Sequence, residues 1–475
     1  MGRWKPSWGM LIGSVVLMVF CVEVPVANGA DRASHQSVAN HKATRLTLPE
    51  AVAIAIARNL RMADSRLAIE EKEHQRREAF SDFFPSIDLS YSANWYRYQQ
   101  PANAQAIGAA QDSRGMRAGL GSFGMPTVFG TYNRIDPYRS FRLTATVTQP
   151  LYTGGKLLNE YKYARLGVDY SAIQMEVNRQ DLILDVYEAY YQLVQSEKLL
   201  QVAEESVRAL EALRNQTMEF YKAGVVPKVD VLSTEGQLAQ ARIQRTQSLT
   251  DIEKYKATLC YLLRYPQETP LKVSQDIAYR PNSYTLPNIY AIAAANRPEI
   301  RQANISVEQA MALVKSSKAD LLPSVSVQAI GTRMNDDWNP FDREGVNDWR
   351  LQGILTWTFD MFRRRETVQE RRATQARTFV ARELLIEQIM QEVKSAYEDM
   401  KRAESNIRDN RAAVAFRQES FRINQERYKE QVATYTEVLD AQRQLALAQG
   451  DYYISLIGYR INQAILERAM GILRQ

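Results

Sequence analysis

The side chains that most often carry out catalysis or bind metals are scarce in this sequence. It contains three histidines, His35, His41 and His74, and two cysteines, Cys21 and Cys260. No histidine stands at a metal-ligand spacing from a cysteine or another histidine, and the sequence shows no nucleophile motif or phosphate-binding loop. We therefore predict that the protein is not an enzyme and that it has no cofactor and no metal site.

Acidic side chains near the C-terminal end offer a different kind of chemistry. Glu437 and Asp440 are three positions apart, and on a helix this spacing places both carboxylates on one face. Carboxylates gathered around a narrow axis repel one another, bind cations and set the selectivity of a passage. An acid beside a helix N-terminus instead stabilises the helix, because it opposes the positive end of the helix dipole. Both interpretations stay open for Glu437 until the elements that hold it are known.

The start of the chain is typical of a secretory signal peptide. Two positive charges precede a charge-free apolar run over residues 10–22, and small residues that suit cleavage follow. Cys21 allows a lipoprotein interpretation, but Phe20 stands where lipid modification needs a small residue. We therefore predict that residues 1–30 are a signal peptide and that the mature protein leaves the cytoplasm.

Hydropathy and charge narrow the class of protein further. After residue 30, no stretch of about 18 consecutive apolar residues occurs, which argues against membrane-spanning helices. Strands of a membrane barrel alternate in polarity and give a weak hydropathy signal, so that class stays open. The net charge of +6 is small for 475 residues and is spread along the chain, so nucleic acid is not an expected partner.

An internal repeat organises the chain. Residues 48–49 (Leu-Pro) recur as 286–287, an offset of 238 positions. At the same offset, residues 83–87 (Phe-Phe-Pro-Ser-Ile) recur as 321–325 (Leu-Leu-Pro-Ser-Val). Such self-similarity indicates a structural unit that is present twice.

Further along, the offset between the two halves falls to 208, where residues 141–143 match 349–351. The difference lies in a loop that is longer in the first half, and loops tolerate such insertions. Each half is predicted to run short helix, two strands, two long helices. The predicted organisation is a signal peptide (1–30), a first repeat (31–265), an equatorial linker segment (266–300) and a second repeat (301–475).

Four segments alternate between apolar and polar side chains with the period of a β-strand: 87–95, 141–149, 324–329 and 349–359. Their lengths suit tilted membrane strands of about ten residues. The face of a soluble β-sandwich shows the same alternation, but no further strands are predicted that could cover it. Aromatic residues near the strand ends are predicted to lie at the membrane–water interfaces; they are Trp95, Phe141, Trp349, Trp357 and Phe359.

Four strands are too few to close a membrane barrel. The smallest barrels have about eight strands, and an open edge in lipid leaves backbone groups unpaired. Other copies of the chain must therefore complete the sheet. Three copies would supply twelve strands and four copies sixteen, and the periodicity does not choose between them.

Two pairs of long helices follow the strands. Helical apolar spacing without an internal proline extends over 156–222, and after a short turn it continues over 229–264. The second half repeats this over 362–430 and 434–470. A coiled-coil rod would account for the helices alone. It would not account for strands at one end of the helices. The combination of membrane-type strands with long helices favours a tunnel that begins in the outer membrane and projects into the periplasm.

Together these features resemble the TolC family of outer-membrane efflux proteins over residues 46–471. The segments that carry the resemblance are 46–51 (Leu-Thr-Leu-Pro-Glu-Ala), the strand entries 83–86 and 321–324, the turn 149–156 (Gln-Pro-Leu-Tyr-Thr-Gly-Gly-Lys), and the helix turns 221–232 and 428–442. The resemblance implies a mixed α and β membrane protein. In it, a trimeric twelve-stranded β-barrel, with four strands from each chain, continues into a long α-helical periplasmic barrel.

The resemblance also implies a function. The chain is expected to be a homotrimeric passive exit duct of the outer membrane, embedded in outer-membrane lipid. Its expected partners are a periplasmic adaptor and an inner-membrane pump of an efflux or type I secretion system. The alternative is a structural periplasmic coiled coil that binds partners but conducts nothing.

By this resemblance the helix turns form the periplasmic mouth of the duct. The implied pore gate consists of Tyr428, Glu437 and Asp440, and the carboxylate of Asp440 is interpreted as facing the pore. Ala433 stands where an arginine of the gate is expected, which predicts that this ion pair is absent. The implied adaptor contacts are Gly224, Val225, Pro227, Gln431, Val432 and Thr434. Gln431 stands where this turn usually has a glycine, whereas Gly224 keeps it.

Overall fold

Two long helix pairs dominate the protein in the computed structural model. The structure describes residues 45–96, 138–275, 277, 279, 281, 284–335, 337–339 and 345–474. The predicted signal peptide lies outside the described residues, as do Cys21, His35, His41 and most of the long loop predicted after the first strand.

The first half of the chain contains seven elements within the described residues. They are β1 (Arg45–Leu46), α1 (Leu48–Arg58), α2 (Leu60–Ser81), β2 (Ser86–Tyr96), β3 (Tyr138–Tyr152), α3 (Lys156–Lys222) and α4 (Lys228–Leu263). The second half repeats the same order. Its elements are β4 (Lys272–Val273), α5 (Leu286–Asn296), α6 (Pro298–Ala319), β5 (Ser324–Asn335), β6 (Val346–Thr356), α7 (Met361–Lys429) and α8 (Tyr435–Ala469).

The lengths of corresponding helices confirm the internal repeat. Helices α1 and α5 both have 11 residues, and α2 and α6 both have 22. The long helices have 67 and 69 residues, and their partners have 36 and 35. Because α5 is the counterpart of α1, we propose that the second repeat starts at α5, inside the segment predicted as a linker.

The long helices α3 and α7 extend about 100 Å at about 1.5 Å per residue. Near the sheet they pack against α2 and α6, and further away they pack against α4 and α8. None of the helices in the described part of the chain combines the length and the apolar composition that crossing a bilayer requires.

Four strands form one antiparallel sheet in the order β2-β3-β5-β6. The prediction that the last strand continues to Phe359 is wrong, because β6 ends at Thr356. Thr356 pairs with Ser324, which is the first residue of β5. The residue before Ser324 is Pro323. Proline lacks a backbone N–H for the ladder, so β6 has no partner beyond this point.

Two hydrophobic clusters lie where the short helices meet the long ones. In the first half Val52 of α1 packs with Leu182 of α3 and Leu259 of α4. In the second half Ile289 of α5 packs with Val393 of α7. Strands β1 and β4 pair in parallel beside the first cluster and hold the start of the described chain against it. The two repeats therefore have equivalent cores.

Two buried arginines join four helices near the C-terminal end of α8. Arg468 of α8 donates to Asp181 of α3 and to Glu299 of α6, each at 2.7 Å. Arg297, directly before α6, donates to the backbone oxygen of Arg468 at 3.2 Å and forms an ion pair with Glu392 of α7. Removing one partner of a buried ion pair leaves an uncompensated charge. The two arginines thus hold α3, α6, α7 and α8 in a fixed arrangement.

Arg468→Met should therefore destabilise the protein by about 3 kcal/mol, because Asp181 and Glu299 would lose their buried partner. The measurement is the apparent melting temperature in detergent, followed by circular dichroism, and it should fall by several degrees. Arg402→Met is the matched control, since its ion pair with Asp399 is exposed and contributes little. Equal shifts in the two variants would contradict the role of the buried pair.

Candidate functional site

The four-stranded sheet has one apolar face and one polar face. Residues opposite one another in an antiparallel sheet share a face, and neighbours along a strand alternate. One row across the sheet reads Leu89, Ala145, Gly331 and Trp349, and the next reads Ser90, Thr144, Thr332 and Asp348. The apolar face is open, and Leu351 is 68% exposed on it. An apolar face that stays uncovered across four strands indicates contact with lipid or with another protein.

Both edges of this sheet are open within the described residues. Strand β2 pairs only with β3, and β6 pairs only with β5. Each edge therefore presents a row of backbone N–H and C=O groups that can pair with another strand. The two free edges are different strands, so a contact between them joins copies head to tail. In such a contact β2 of one copy pairs with β6 of the next, and repeating it around an axis generates a closed ring.

The predicted interface aromatics separate into exposed and covered residues. Trp95 and Trp349 are exposed toward the loop ends of the strands, and Trp357 and Phe359 are exposed beside the start of α7. Phe141 differs, with only 9% of its surface exposed. Its ring centroid lies 6.2 Å from that of Trp95 and 6.3 Å from that of Tyr91. Phe141 therefore packs against Trp95 and Tyr91, and little of its own surface is accessible.

The two turns that join the long helices have the same geometry. Gly224 is left-handed (φ 75°), and Val225 donates its backbone N–H to the oxygen of Phe220 at 2.9 Å. Gln431 is also left-handed (φ 58°), and Val432 donates to the oxygen of Arg427 at 2.9 Å. Both are Schellman motifs, which end a helix with a left-handed residue. The turn therefore forms in the second half although Gln431 replaces glycine.

The other residues predicted at the adaptor surface lie at these two turns. Val225 and Val432 are exposed at the tips, and Pro227 and Thr434 each stand directly before the next helix. The structure therefore places all six predicted adaptor residues at one end of the molecule. Their contact with an adaptor stays a prediction.

Tyr428 is buried between the two helix pairs, with 4% of its surface exposed. Its hydroxyl lies 3.3 Å from the hydroxyl of Thr217, and its ring is edge-on to Phe220 at 5.6 Å between centroids. Leu213 and Val438 complete the apolar surroundings. Burial raises the pKa of the Tyr428 hydroxyl, so the side chain stays neutral. Tyr428 therefore joins the first helix pair to the second, and it also lines the cavity between the two tip turns with Val225 and Ala433. Its role in a pore gate stays a prediction.

Glu437 and Asp440 lie on a different surface from Tyr428. Both line a groove on α7 and α8 together with Ser420 and Asn424. Glu437 also forms a capping box with Thr434, and the hydrogen bond from the Thr434 backbone lowers the pKa of this carboxyl. Glu437 thus stabilises the start of α8, as one of the two interpretations of its sequence position predicted. The same side chain also lines the groove.

Each acid of this groove has a basic neighbour. Asp440 pairs with Arg443 at 2.6 Å, and Arg427 lies 3.5 Å from Glu437. The sequence interpretation missed Arg427, because it expected the arginine at position 433. It also missed Thr217, although Thr217 continues the apolar spacing of Leu213 on α3. In the described residues, no group of three or more His, Cys, Asp or Glu side chains is arranged to hold a metal ion.

Comparison with known proteins places the chain in one family. A family model described as outer membrane efflux protein matches residues 51–263 and 289–471. The probable efflux pump outer membrane protein TtgC of Pseudomonas putida is 23% identical over 287 residues, and this match covers 60% of the chain and 58% of TtgC. The outer membrane efflux protein BepC of Brucella suis is 22% identical over 391 residues, covering 78% of the chain and 83% of BepC.

A solved structure shows the same fold. The Campylobacter jejuni CmeC outer membrane channel superimposes with a TM-score of 0.75 at 16% identity, covering 90% of this chain and 86% of that one. The predicted fold, with membrane-type strands that continue into long helices in a doubled unit, is therefore confirmed.

The two tip turns generate a paired prediction. Gln431→Gly should stabilise the second turn by about 1 kcal/mol, because glycine adopts a left-handed conformation without steric cost. Gly224→Ala should destabilise the first turn by a similar amount, since space is available but the conformation is unfavourable. Amide hydrogen exchange at each turn measures both effects as changes in local opening. Unchanged exchange in both variants would show that the turns are not strained in this way.

Proposed function

Because the chain belongs to the outer membrane efflux protein family, we propose that it is one subunit of a passive exit duct in the outer membrane. The observation that carries the proposal is the four-stranded sheet, whose apolar face is exposed and whose two edges are open. This sheet continues directly into helices about 100 Å long. One chain thus supplies a strip of membrane wall and a strip of periplasmic wall.

Three copies form the duct. Four strands from each of three chains give twelve, which exceeds the roughly eight strands of the smallest membrane barrels. Pairing β2 of one copy with β6 of the next satisfies the backbone groups of every edge, as lipid requires. The same rotation brings the helix pairs into a ring of six, which encloses the periplasmic part of the passage.

The polar face of the sheet lines the passage. Arg142, Asp348, Arg350 and Gln352 lie on this face, and the apolar face turns toward lipid. Charged and amide side chains favour a water-filled passage. The duct thus contributes a polar route rather than a catalytic step, and an inner-membrane pump supplies both the cargo and the energy.

The helix turns form the periplasmic mouth and meet a periplasmic adaptor. The exposed valines of the two tips, Val225 and Val432, offer equivalent apolar contacts at all six turns of the trimer. Glu437 and Asp440 lie on the groove beside the second turn and supply the acidic character of the mouth. Tyr428 acts by holding the two helix pairs of one chain together.

Mass and conductance test the proposed function together. The purified full chain in detergent should have the native mass of a trimer, and after insertion into a planar bilayer it should conduct ions. A structural coiled coil that binds partners without transport would give no current. A stable monomer or dimer, or a trimer without conductance, would refute the duct.

Two neighbouring residues of β6 test the orientation of the sheet. Leu351→Arg should reduce membrane insertion strongly, because an arginine on the lipid face near the middle of the bilayer costs about 2–4 kcal/mol. Gln352→Arg is the matched control on the polar face. It should insert normally and shift the selectivity of the current toward anions. Heat-modifiable trimer in outer-membrane fractions reports insertion, and the reversal potential reports selectivity. The opposite pattern would mean that the faces are assigned the wrong way round.

A further inference from the structure

The apolar face of the sheet ends in two arginines at the end of the strands that lies away from the helices. Beyond the row that contains Trp349, the next row on the same face reads Tyr91, Leu143, Arg333 and Asn347. Two rows further along, Arg139 of β3 stands opposite Trp95 of β2. Arg139 and Arg333 are called the outer arginine pair below.

The charges on the two faces of the sheet differ in sign. The four strands contain two aspartates within the described residues, Asp88 and Asp348, and the strand register places both on the polar face. The polar face also carries arginines, so it has charges of both signs. On the apolar face the charged side chains of the described strands are the outer arginine pair. A ligand of this end of the apolar face should therefore be an anion.

Exposed tryptophans surround the outer arginine pair. Trp95, Trp338 and Trp349 are all exposed. Tyr91 donates its hydroxyl to the backbone oxygen of Trp338 at 2.7 Å, which holds the segment between β5 and β6 against this face. Tryptophan and tyrosine side chains are typical of the boundary between hydrocarbon and water. The aromatic residues thus place the outer arginine pair at the level of lipid headgroups.

The depth of the arginines agrees with this level. Arg333 is four residues along β5 from Ala329, the partner of Leu351, which corresponds to about 13 Å. The cost of a lipid-facing arginine is largest at the bilayer midplane and becomes small near the interface. Arg333 also donates to the side-chain oxygen of Asn347 at 3.3 Å, so the guanidinium is held in place on this face.

We propose that the outer arginine pair binds the phosphate groups of the phosphorylated glycolipid that forms the outer leaflet of the outer membrane. The proposal rests on the duct proposed above, in which the helices lie in the periplasm and the opposite end of the sheet lies at the cell surface. Guanidinium groups form paired, charge-assisted hydrogen bonds with phosphate. The exposed tryptophans pack against the sugar rings and acyl chains of the same lipid.

The spacing of the arginines favours a lipid head with two phosphates. Arg139 is four residues along β3 from Leu143, the residue opposite Arg333, a distance of about 13 Å. A diphosphorylated disaccharide head spans such a gap, whereas the head of a glycerophospholipid with one phosphate reaches one arginine at a time. Because β3 and β5 are the inner strands of the sheet, one chain contains the whole site. A trimer therefore has three sites.

Native mass spectrometry of the purified full-length trimer tests the site, with diphosphorylated lipid A as the added probe. Up to three lipid A molecules should bind each trimer. Removal of one phosphate from the probe should lower the bound fraction several-fold, and this comparison needs no change in the protein. Arg139→Gln with Arg333→Gln should lower it by a similar factor, because the charge-assisted hydrogen bonds are lost.

The matched control is Arg142→Gln with Arg350→Gln, which removes the same charge from the polar face of the sheet. Its lipid A binding should equal that of the unchanged protein. Two competitors identify the source of the phosphate. Inorganic phosphate in excess and phosphatidylglycerol at the concentration of lipid A should each leave most of the lipid A bound.

Three results would overturn the glycolipid site while the duct itself stands. They are equal binding of lipid A with one and with two phosphates, equal loss of binding in the variants of the two faces, and displacement of lipid A by phosphatidylglycerol at equal concentration. A chain that forms no trimer, or a trimer that does not conduct in a planar bilayer, would overturn the proposed function and this site together.

Discussion

The structure depends on one constraint: backbone N–H and C=O groups at the edge of a sheet cannot stay unpaired in lipid, where each would cost several kcal/mol. The chain presents two such edges, on β2 and β6, and an apolar face between them. A single chain therefore cannot be the complete membrane unit. Once the strands close into a ring, the helices that continue from them must form a ring as well. The tunnel is a geometric consequence of closing the sheet.

Each chain contributes two neighbouring helix pairs to that ring. Half of the contacts between neighbouring pairs therefore lie within one chain and need no second copy. The two repeats keep the same turn geometry with different residues, as Gly224 and Gln431 show. At the tips they have diverged in polarity. An apolar cluster around Tyr428 joins the repeats within a chain, whereas Asn424 and Glu437 line an open polar groove on α7 and α8.

Local periodicity predicts most of this fold, because strands and helices differ in the spacing of their apolar residues. The lengths of the long helices and the polarity of both sheet faces follow from that spacing alone. Contacts between distant segments do not. Tyr428 meets Thr217 across 211 positions, and Arg468 meets Asp181 across 287. The end of β6 depends on its partner strand, so its own alternation could not show that Trp357 lies outside the ladder. Phe141 is covered by rings of the adjacent strand, which its own sequence neighbours do not reveal.

The central claim is that separate copies complete the sheet by pairing β2 with β6. An electron cryomicroscopy map of the full chain in lipid nanodiscs tests it most directly, because the strands around the barrel can be counted and each edge traced to its partner. The account predicts three copies, twelve strands and a continuous backbone ladder between β2 of one copy and β6 of the next. A map in which either edge faces lipid without a partner strand would contradict it.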